Sequence, residues 1–218
     1  LPANPTKSLS FGGYDWNIRT VSADAGGGLN NIYDSGNAWI GTDGFLHLKI
    51  SKKADQWTCA DVSLTRSLGY GTYVVGVRDI SFLEPTVAFT MHTYDEQGGE
   101  YYRQIGIEIS RWGDAKARYN AQYGVVPLYV PGNVVHFTAP AGGLTFSLRW
   151  ESGRATIETR RESGMQAKSS LISQHVFTSG VPPPGKENFH IMLYIAPSQN
   201  PLQQPTEVVV DKFEYLPE

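Results

Sequence analysis

Hydrophobic and polar residues alternate along much of this chain with a period of two. The run Arg103-Gln104-Ile105-Gly106-Ile107-Glu108-Ile109-Ser110 shows it most cleanly. Isoleucine holds 105, 107 and 109, while Gln104, Gly106 and Glu108 hold the even positions. Successive side chains of a strand point to opposite faces, so the isoleucines face a core and the even set faces solvent or a cleft. Residues 45–50 alternate in the same way, with Phe45, His47 and Lys49 on one side. Further strands are predicted at 57–65, 70–78, 87–93, 120–126, 134–138, 144–151, 154–160, 171–177, 188–196 and 207–215. The 70–78 segment is rich in β-branched and aromatic residues. This spacing suits an antiparallel sandwich rather than a βαβ fold. Only 111–119 approaches a helical period, and it is short and flanked by glycine.

Turn signals separate these runs. Gly41-Thr42-Asp43-Gly44 follows Asn37-Ala38-Trp39-Ile40, and Asp95-Glu96-Gln97-Gly98-Gly99 delivers the chain to the 103–110 run. The stretches Val181-Pro182-Pro183-Pro184-Gly185 and 197–205 read as rigid surface loops, because strand signals resume after each. Gly26-Gly27-Gly28 reads as a loop rather than a phosphate cradle. With no internal repeat and 218 residues, one domain over 1–218 is the economical expectation.

Composition narrows the function. The formal net charge is -3 and no basic block stands out, so a nucleic-acid backbone is not an expected partner. Arg160-Arg161 is the strongest positive cluster and reads as a solvated turn or face. No apolar run reaches the length of a membrane span, so membrane insertion is not expected. The lone cysteine, Cys59, precludes an intrachain disulfide and reads as a buried thiol. The opening Leu1-Pro2-Ala3-Asn4-Pro5-Thr6 shows no signal-peptide pattern and suits a processed secreted chain or a trimmed one. Aromatics make up 12% of residues, enough to supply both a core and a binding groove.

Several segments, in order, carry a resemblance to family 16 glycoside hydrolases, the laminarinases, lichenases, agarases and their relatives. They are Asn37-Ala38-Trp39-Ile40 with Asp43-Gly44-Phe45-Leu46-His47-Leu48, Trp57-Thr58-Cys59-Ala60-Asp61-Val62, and Leu68-Gly69-Tyr70-Gly71-Thr72-Tyr73. The 103–110 run with Arg111-Trp112-Gly113 follows, then Phe146-Ser147-Leu148-Arg149-Trp150 and Val209-Val210-Asp211-Lys212-Phe213-Glu214-Tyr215. The resemblance implies an all-β, concanavalin A-like jelly-roll sandwich of two curved antiparallel sheets with a polysaccharide cleft. It implies a β-linked oligo- or polysaccharide as partner and an extracellular, secreted or periplasmic, location. No cofactor is required. A structural calcium on the convex side is implied, with Asp211 near the matching ligand and Gly44 offering a carbonyl oxygen, a ligand type that suits calcium. The alternative for Asp211 is a charged strand-end residue with no metal.

The signature strand of that family reads Glu-x-Asp-x-Glu: nucleophile, supporting acid, acid/base. Here Gln104 takes the nucleophile position, Gly106 the Asp position, and Glu108 the acid/base position. A retaining mechanism needs two carboxyl groups about 5–5.5 Å apart, and a neutral amide cannot replace the nucleophile. Gly106 removes the helper or lets a ligand approach the backbone. Glu108 is the catalytic candidate, with glycan contact or a bond to a neighbouring strand as its other readings. Asp95, Glu96 and Glu100 are candidates for a relocated carboxylate, or solvated loop residues. Trp112 is the expected sugar platform. Gln104, Trp39, His92 and Tyr194 complete the substrate-binding candidates, with Trp39 and His92 weighed against a structural role; Tyr194 ranks with Arg78 and Trp150 below the others.

Three functions stay open on sequence. The first is a carbohydrate-binding, catalytically degenerate relative; the second is an active endo-β-glycosidase with an unusual partner for Glu108. The third is a structural or protein-interaction sandwich. The first shell of Glu108 separates them.

Overall fold

The computed structural model describes residues 7–21, 31–161 and 169–218. Leu1 to Thr6 and the Gly26-Gly27-Gly28 loop lie outside the described residues. In chain order the strands are β1 (Ser8–Phe11), β2 (Tyr14–Ile18), β3 (Ile32–Tyr33), β4 (Ala38–Ile40), β5 (Leu46–Lys53), β6 (Gln56–Leu64), β7 (Gly71–Val77) and β8 (Val87–Tyr94). They continue with β9 (Ile105–Ile109), β10 (Ala121–Val125), β11 (Val134–Phe137), β12 (Leu144–Glu151), β13 (Arg154–Arg161), β14 (Ser170–Phe177), β15 (Asn188–Ile195) and β16 (Thr206–Pro217).

These strands make two antiparallel sheets. The first runs β11-β10-β9-β8-β15-β6 and continues through β2 to β1. The second runs β4-β5-β16-β7-β12-β13-β14. The β5–β6 hairpin passes from one to the other, pairing Ser51 with Thr58 and Lys53 with Gln56. The short β3 lies parallel to β6. This is the all-β antiparallel sandwich that the alternation predicts, with the jelly-roll form that the resemblance implies.

The core fills the space between the sheets, because each strand sends its apolar alternates inward. Ile105, Ile107 and Ile109 of β9 are all buried, as are Leu46, Leu48 and Ile50 of β5 in the other sheet. Aromatic pairs join the layers: Tyr73 of β7 stacks on Phe189 of β15 at 4.8 Å, and Trp16 of β2 meets Phe213 of β16 edge-on at 4.8 Å. A polar stitch crosses too. The Tyr123 hydroxyl lies 2.6 Å from Thr159 Oγ1 and donates to the Ser173 carbonyl at 3.2 Å, so its burial leaves no oxygen unmet.

Most predicted strands fall within a residue or two of the observed ones. The differences have local causes. The signature strand begins at Ile105, not 103, because Tyr102 and Arg103 adopt left-handed backbone (φ 52° and 49°) in the preceding turn. Strands β1, β2 and β3 were not anticipated; β1 and β2 are short and joined at Gly12-Gly13. Residues 111–119 form turns.

Three candidate groove residues lie elsewhere. Trp39 is opposite His47 on β4–β5, and its ring stacks on that imidazole at 5.2 Å. Leu46 and Leu48 flank His47 on the core side, so Trp39 decorates the outer face of the second sheet. Trp150 is fully buried and donates its indole N–H to the Pro182 carbonyl. Arg78 lies over the Phe45 ring at 4.8 Å, at the end of the second sheet.

On that outer face His47 is clasped by two carboxylates: Nδ1 is 2.7 Å from Glu207 and Nε2 is 3.1 Å from Asp43. Partial burial lowers its pKa, but the hydrogen bonds to Glu207 and Asp43 raise it more, and the net direction is up. A raised histidine pKa adds stability that is fully present below the unfolded value of about 6.5 and is lost as pH rises through the folded value. The melting temperature should therefore fall as pH is raised from about 6.5 through that value, and His47→Gln should flatten this limb. Identical pH profiles for the two proteins would rule out the clasp as its source.

Candidate functional site

The outer face of the first sheet carries the site. Strand register assembles it in transverse rows. One row holds Asp61, Met192, Thr90, Glu108 and Gln122, from β6, β15, β8, β9 and β10. The next holds Ser63, His190, His92, Gly106 and Gly124 on the same strands. A cavity of about 700 Å³ lies over these rows and extends to Gln104, Tyr94 and Tyr102. Lys186 joins its lining, so the proline-rich 181–187 loop walls the groove and leaves it open.

Glu108 is held by three donors. The Trp112 indole N–H and the Gln122 amide (3.3 Å) donate to Oε1, and the Tyr194 hydroxyl donates to Oε2 at 2.7 Å. Tyr194 sits two strands away and faces Ala88 on the intervening β8, whose methyl lets the ring lie across it. Burial, followed by the Glu108 charge and hydrogen bond, pushes the Tyr194 pKa well above its ordinary value, so it stays a donor. Both carboxylate oxygens are thus engaged as acceptors in a fixed pose.

Trp112 reaches Glu108 from a strained corner. Its φ of +46° is rare for a bulky residue and is stabilised by its N–H bonding to Ser110 Oγ at 2.9 Å. Its indole meets the His136 ring edge-on at 5.5 Å. The 197–205 loop braces the corner: Asn200 donates to the Gly113 carbonyl at 2.8 Å. The indole is half-buried and bordered by the groove's polar row.

The other two signature positions offer no acid. Gln104 lines the cavity. Gly106 has no room for a side chain: a Cβ there would run into the Cβ of His92 and stand 2.5 Å from the Met91 carbonyl oxygen. The nearest neighbours of Glu108 across the sheet are Thr90 and Gln122. Asp61 is three strands away, about 14 Å at ordinary strand spacing. Asp95, read as a solvated loop residue or a relocated acid, is instead buried as a loop brace. It accepts from Arg103 Nε and the Lys186 N–H at 3.0 Å each and from the Gln97 N–H at 2.9 Å. Glu96 lines the cavity near its end, and Glu100 lies in an exposed turn.

A second polar centre lies under the groove, and only His92 of it was singled out from sequence. Asp61 is 1% exposed, with His190 Nδ1 at 3.0 Å and Arg19 Nη1 at 3.5 Å. Burial would raise the Asp61 pKa, but the His190 charge and hydrogen bond and the Arg19 charge outweigh it, and the carboxyl stays below its usual range. His190 stacks on His92 at 5.4 Å. Burial, then the neighbouring His190 charge, lowers the His92 pKa to about 3, so His92 is neutral. It is a groove-floor residue bonded to Thr90. The Asp61 signal in sequence was its place on a strand of otherwise buried residues, where an acid needs a partner. Cys59 is buried and its pKa rises to about 12, because burial disfavours the thiolate.

For calcium, Asp211 sits at the β16 bulge beside Val210, which pairs with Leu46, two residues after Gly44. Its carboxylate lies over Gly76. Carboxylate and carbonyl are the oxygen donors calcium takes, though it needs six to eight. Among the described residues, no three His, Cys, Asp or Glu side chains converge on a metal position.

The fold is shared with known β-glucanases. A Bacillus licheniformis β-glucanase matches with a TM-score of 0.70 at 16% identity, covering 93% of this chain and 92% of that one. A β-1,3-1,4-glucanase (lichenase) from a mouse hindgut metagenome matches at 0.69 and 15%, covering 93% of each chain. Rv0315, an immunostimulatory antigen and pseudo β-1,3-glucanase of Mycobacterium tuberculosis, matches at 0.63 and 13%, over 93% of this chain and 91% of that one. No family model and no curated protein matches the sequence. At these identities the likeness establishes the jelly-roll architecture and leaves function to the site.

Gly106→Ala should lower the unfolding free energy by about 1–3 kcal/mol, the usual cost of overpacking, read from urea melts. An unchanged midpoint would remove the steric account of position 106.

Proposed function

We propose that this protein binds a β-linked oligo- or polysaccharide in the groove of its first sheet and does not hydrolyse it by the retaining route. The observation that carries this reading is the closed space at Gly106 beside an amide at Gln104. Retention needs a second carboxyl about 5–5.5 Å from Glu108, and Asp61 is far outside that range. With three donors fixed on it, Glu108 is a ready acceptor anchor that orients Trp112 and Tyr194.

The groove otherwise has the parts a sugar chain needs. Trp112, Tyr94 and Tyr102 offer aromatic surface, with the two tyrosine rings stacked at 5.1 Å. Gln104, Glu108 and His190 offer hydrogen-bonding groups. A β-glucan is the ligand class favoured by the likeness to the B. licheniformis and hindgut enzymes, and the Rv0315 description as a pseudo-glucanase supports a groove without turnover. An extracellular setting, where such polymers are met, belongs to the same proposal. So does a calcium ion at the Gly44–Asp211 corner, which would tie β16 to the β4–β5 turn on the sheet opposite the groove.

Titration calorimetry with β-1,3- and mixed-linkage glucan oligosaccharides tests the reading. Binding should be measurable, and Trp112→Ala should weaken it at least about tenfold, the scale of a lost hot-spot contact. Mass spectrometry after prolonged incubation should find no shortened products. Products that disappear in Glu108→Gln would overturn the non-hydrolytic reading; absence of binding to every glucan tried would overturn the ligand.

A further inference from the structure

Two to four strands from Glu108, four side chains stand in an arrangement of which the glycan reading uses only His190. Ser63 on β6 is directly opposite His190 on β15 and, on its other side, directly opposite Asn17 on β2. Trp16 and Ile18 flank Asn17 and are buried, so Asn17, Ser63 and His190 share the groove face. Opposed residues on one face have Cβ atoms about 4.5–5.5 Å apart. Behind them, the 1%-exposed Asp61 holds His190 Nδ1 at 3.0 Å. In the neutral imidazole that bond selects the tautomer with the proton on Nδ1, which leaves the Nε2 lone pair for the hydroxyl proton. Arg19, the residue after β2, lies 3.5 Å from the other Asp61 oxygen. Ser63, His190 and Arg19 all line the 700 Å³ cavity.

We propose that Ser63, His190 and Asp61 form an acyl-ester hydrolysis site, with Asn17 as oxyanion donor, acting on O-acyl groups of a glycan held in the groove. The roles follow from chemistry: a hydroxyl beside an imidazole, the imidazole oriented by a buried carboxylate, and an amide N–H donor on the far side of the hydroxyl. Ser63 is opposed to His190 rather than hydrogen-bonded to it, and such contacts often close only with substrate in place. His92, neutral and stacked on His190, adds no competing charge when the imidazolium forms.

The reaction balances with water alone. Ser63 Oγ attacks the ester carbonyl carbon as Nε2 takes the hydroxyl proton, and the negative oxygen meets the Asn17 amide. The bond from the acyl carbon to the sugar oxygen breaks, and His190 returns the proton to that oxygen. Water, deprotonated by the same Nε2, then attacks the acyl-Ser63 ester, Ser63 is restored, and the carboxylic acid leaves. Asp61 is a positioning residue throughout and does not touch the ester.

The choice of a glycan ester as substrate rests on the proposed sugar groove; the acyl chemistry does not. A fluorophosphonate probe tests the acyl site directly, followed by intact and peptide mass spectrometry on the full chain. One adduct per chain is expected, on the peptide carrying Ser63. It should be lost in Ser63→Ala, with an unchanged melting temperature, and form at least about 100-fold more slowly in His190→Ala. Acetate release from an O-acetylated β-glycan should follow the same order. No adduct on wild type, an adduct elsewhere, or one that survives Ser63→Ala overturns the site. Calorimetry of unmodified β-glucan on Ser63→Ala reads the groove separately. Glycan binding without labelling overturns the acyl site alone; labelling without glycan binding supports the acyl site and overturns the sugar reading.

Discussion

The register of β8 against β9 is the constraint on which the site depends. Thr90 opposes Glu108 and His92 opposes Gly106. A slip of one residue would turn Ile105, Ile107 and Ile109 outward and drive Glu108 into the core, exchanging every side chain between faces. Burial of the isoleucines therefore sets where the groove's polar groups stand. The same register makes the backbones approach at Gly106, where the His92 Cβ and the Met91 carbonyl oxygen occupy the space a side chain would need. Core packing and chemical character are decided by one strand pair.

Much of this was legible in the sequence. The alternation over 103–110 gave the core face and the groove face of the signature strand, because a half-buried strand advertises its two sides. Glu108 and Gln104 could be chosen because alternation and family resemblance indicated the same positions, whereas His92 and Tyr194 had no such double signal. Trp39 could not be placed. A tryptophan on a short strand packs equally well on either sheet, and only its pairing with His47 decides which. The brace made by Asp95 was hidden for a related reason. Its partners, Arg103 and Lys186, come from segments far apart in the chain, and no local pattern links them.

The Asp61–His190 pair shows a different limit. A lone acid in an apolar strand signals that a partner must exist, since an unpaired buried charge is too costly. It does not say which of five histidines supplies it. Strand order answers that question by setting β15 beside β6. Once paired, the acid and the imidazole hold each other in one orientation, and the neutral His92 below them supplies a flat, uncharged bed. The groove floor is thereby rigid and polar at once.

Gly106 also limits what the site can accept. An aspartate cannot enter that position until β8 has drawn back at Met91 and His92, whose carbonyl oxygen and Cβ stand where its own Cβ would lie, and His92 is itself stacked on His190 and bonded to Thr90. An acid at 106 therefore requires a shift of the β8–β9 pairing, and that shift would also disturb the stack of His92 on His190 beside Asp61. The sheet acts as a lock: no single substitution at 106 adds a carboxylate to the groove floor without moving the strand beside it.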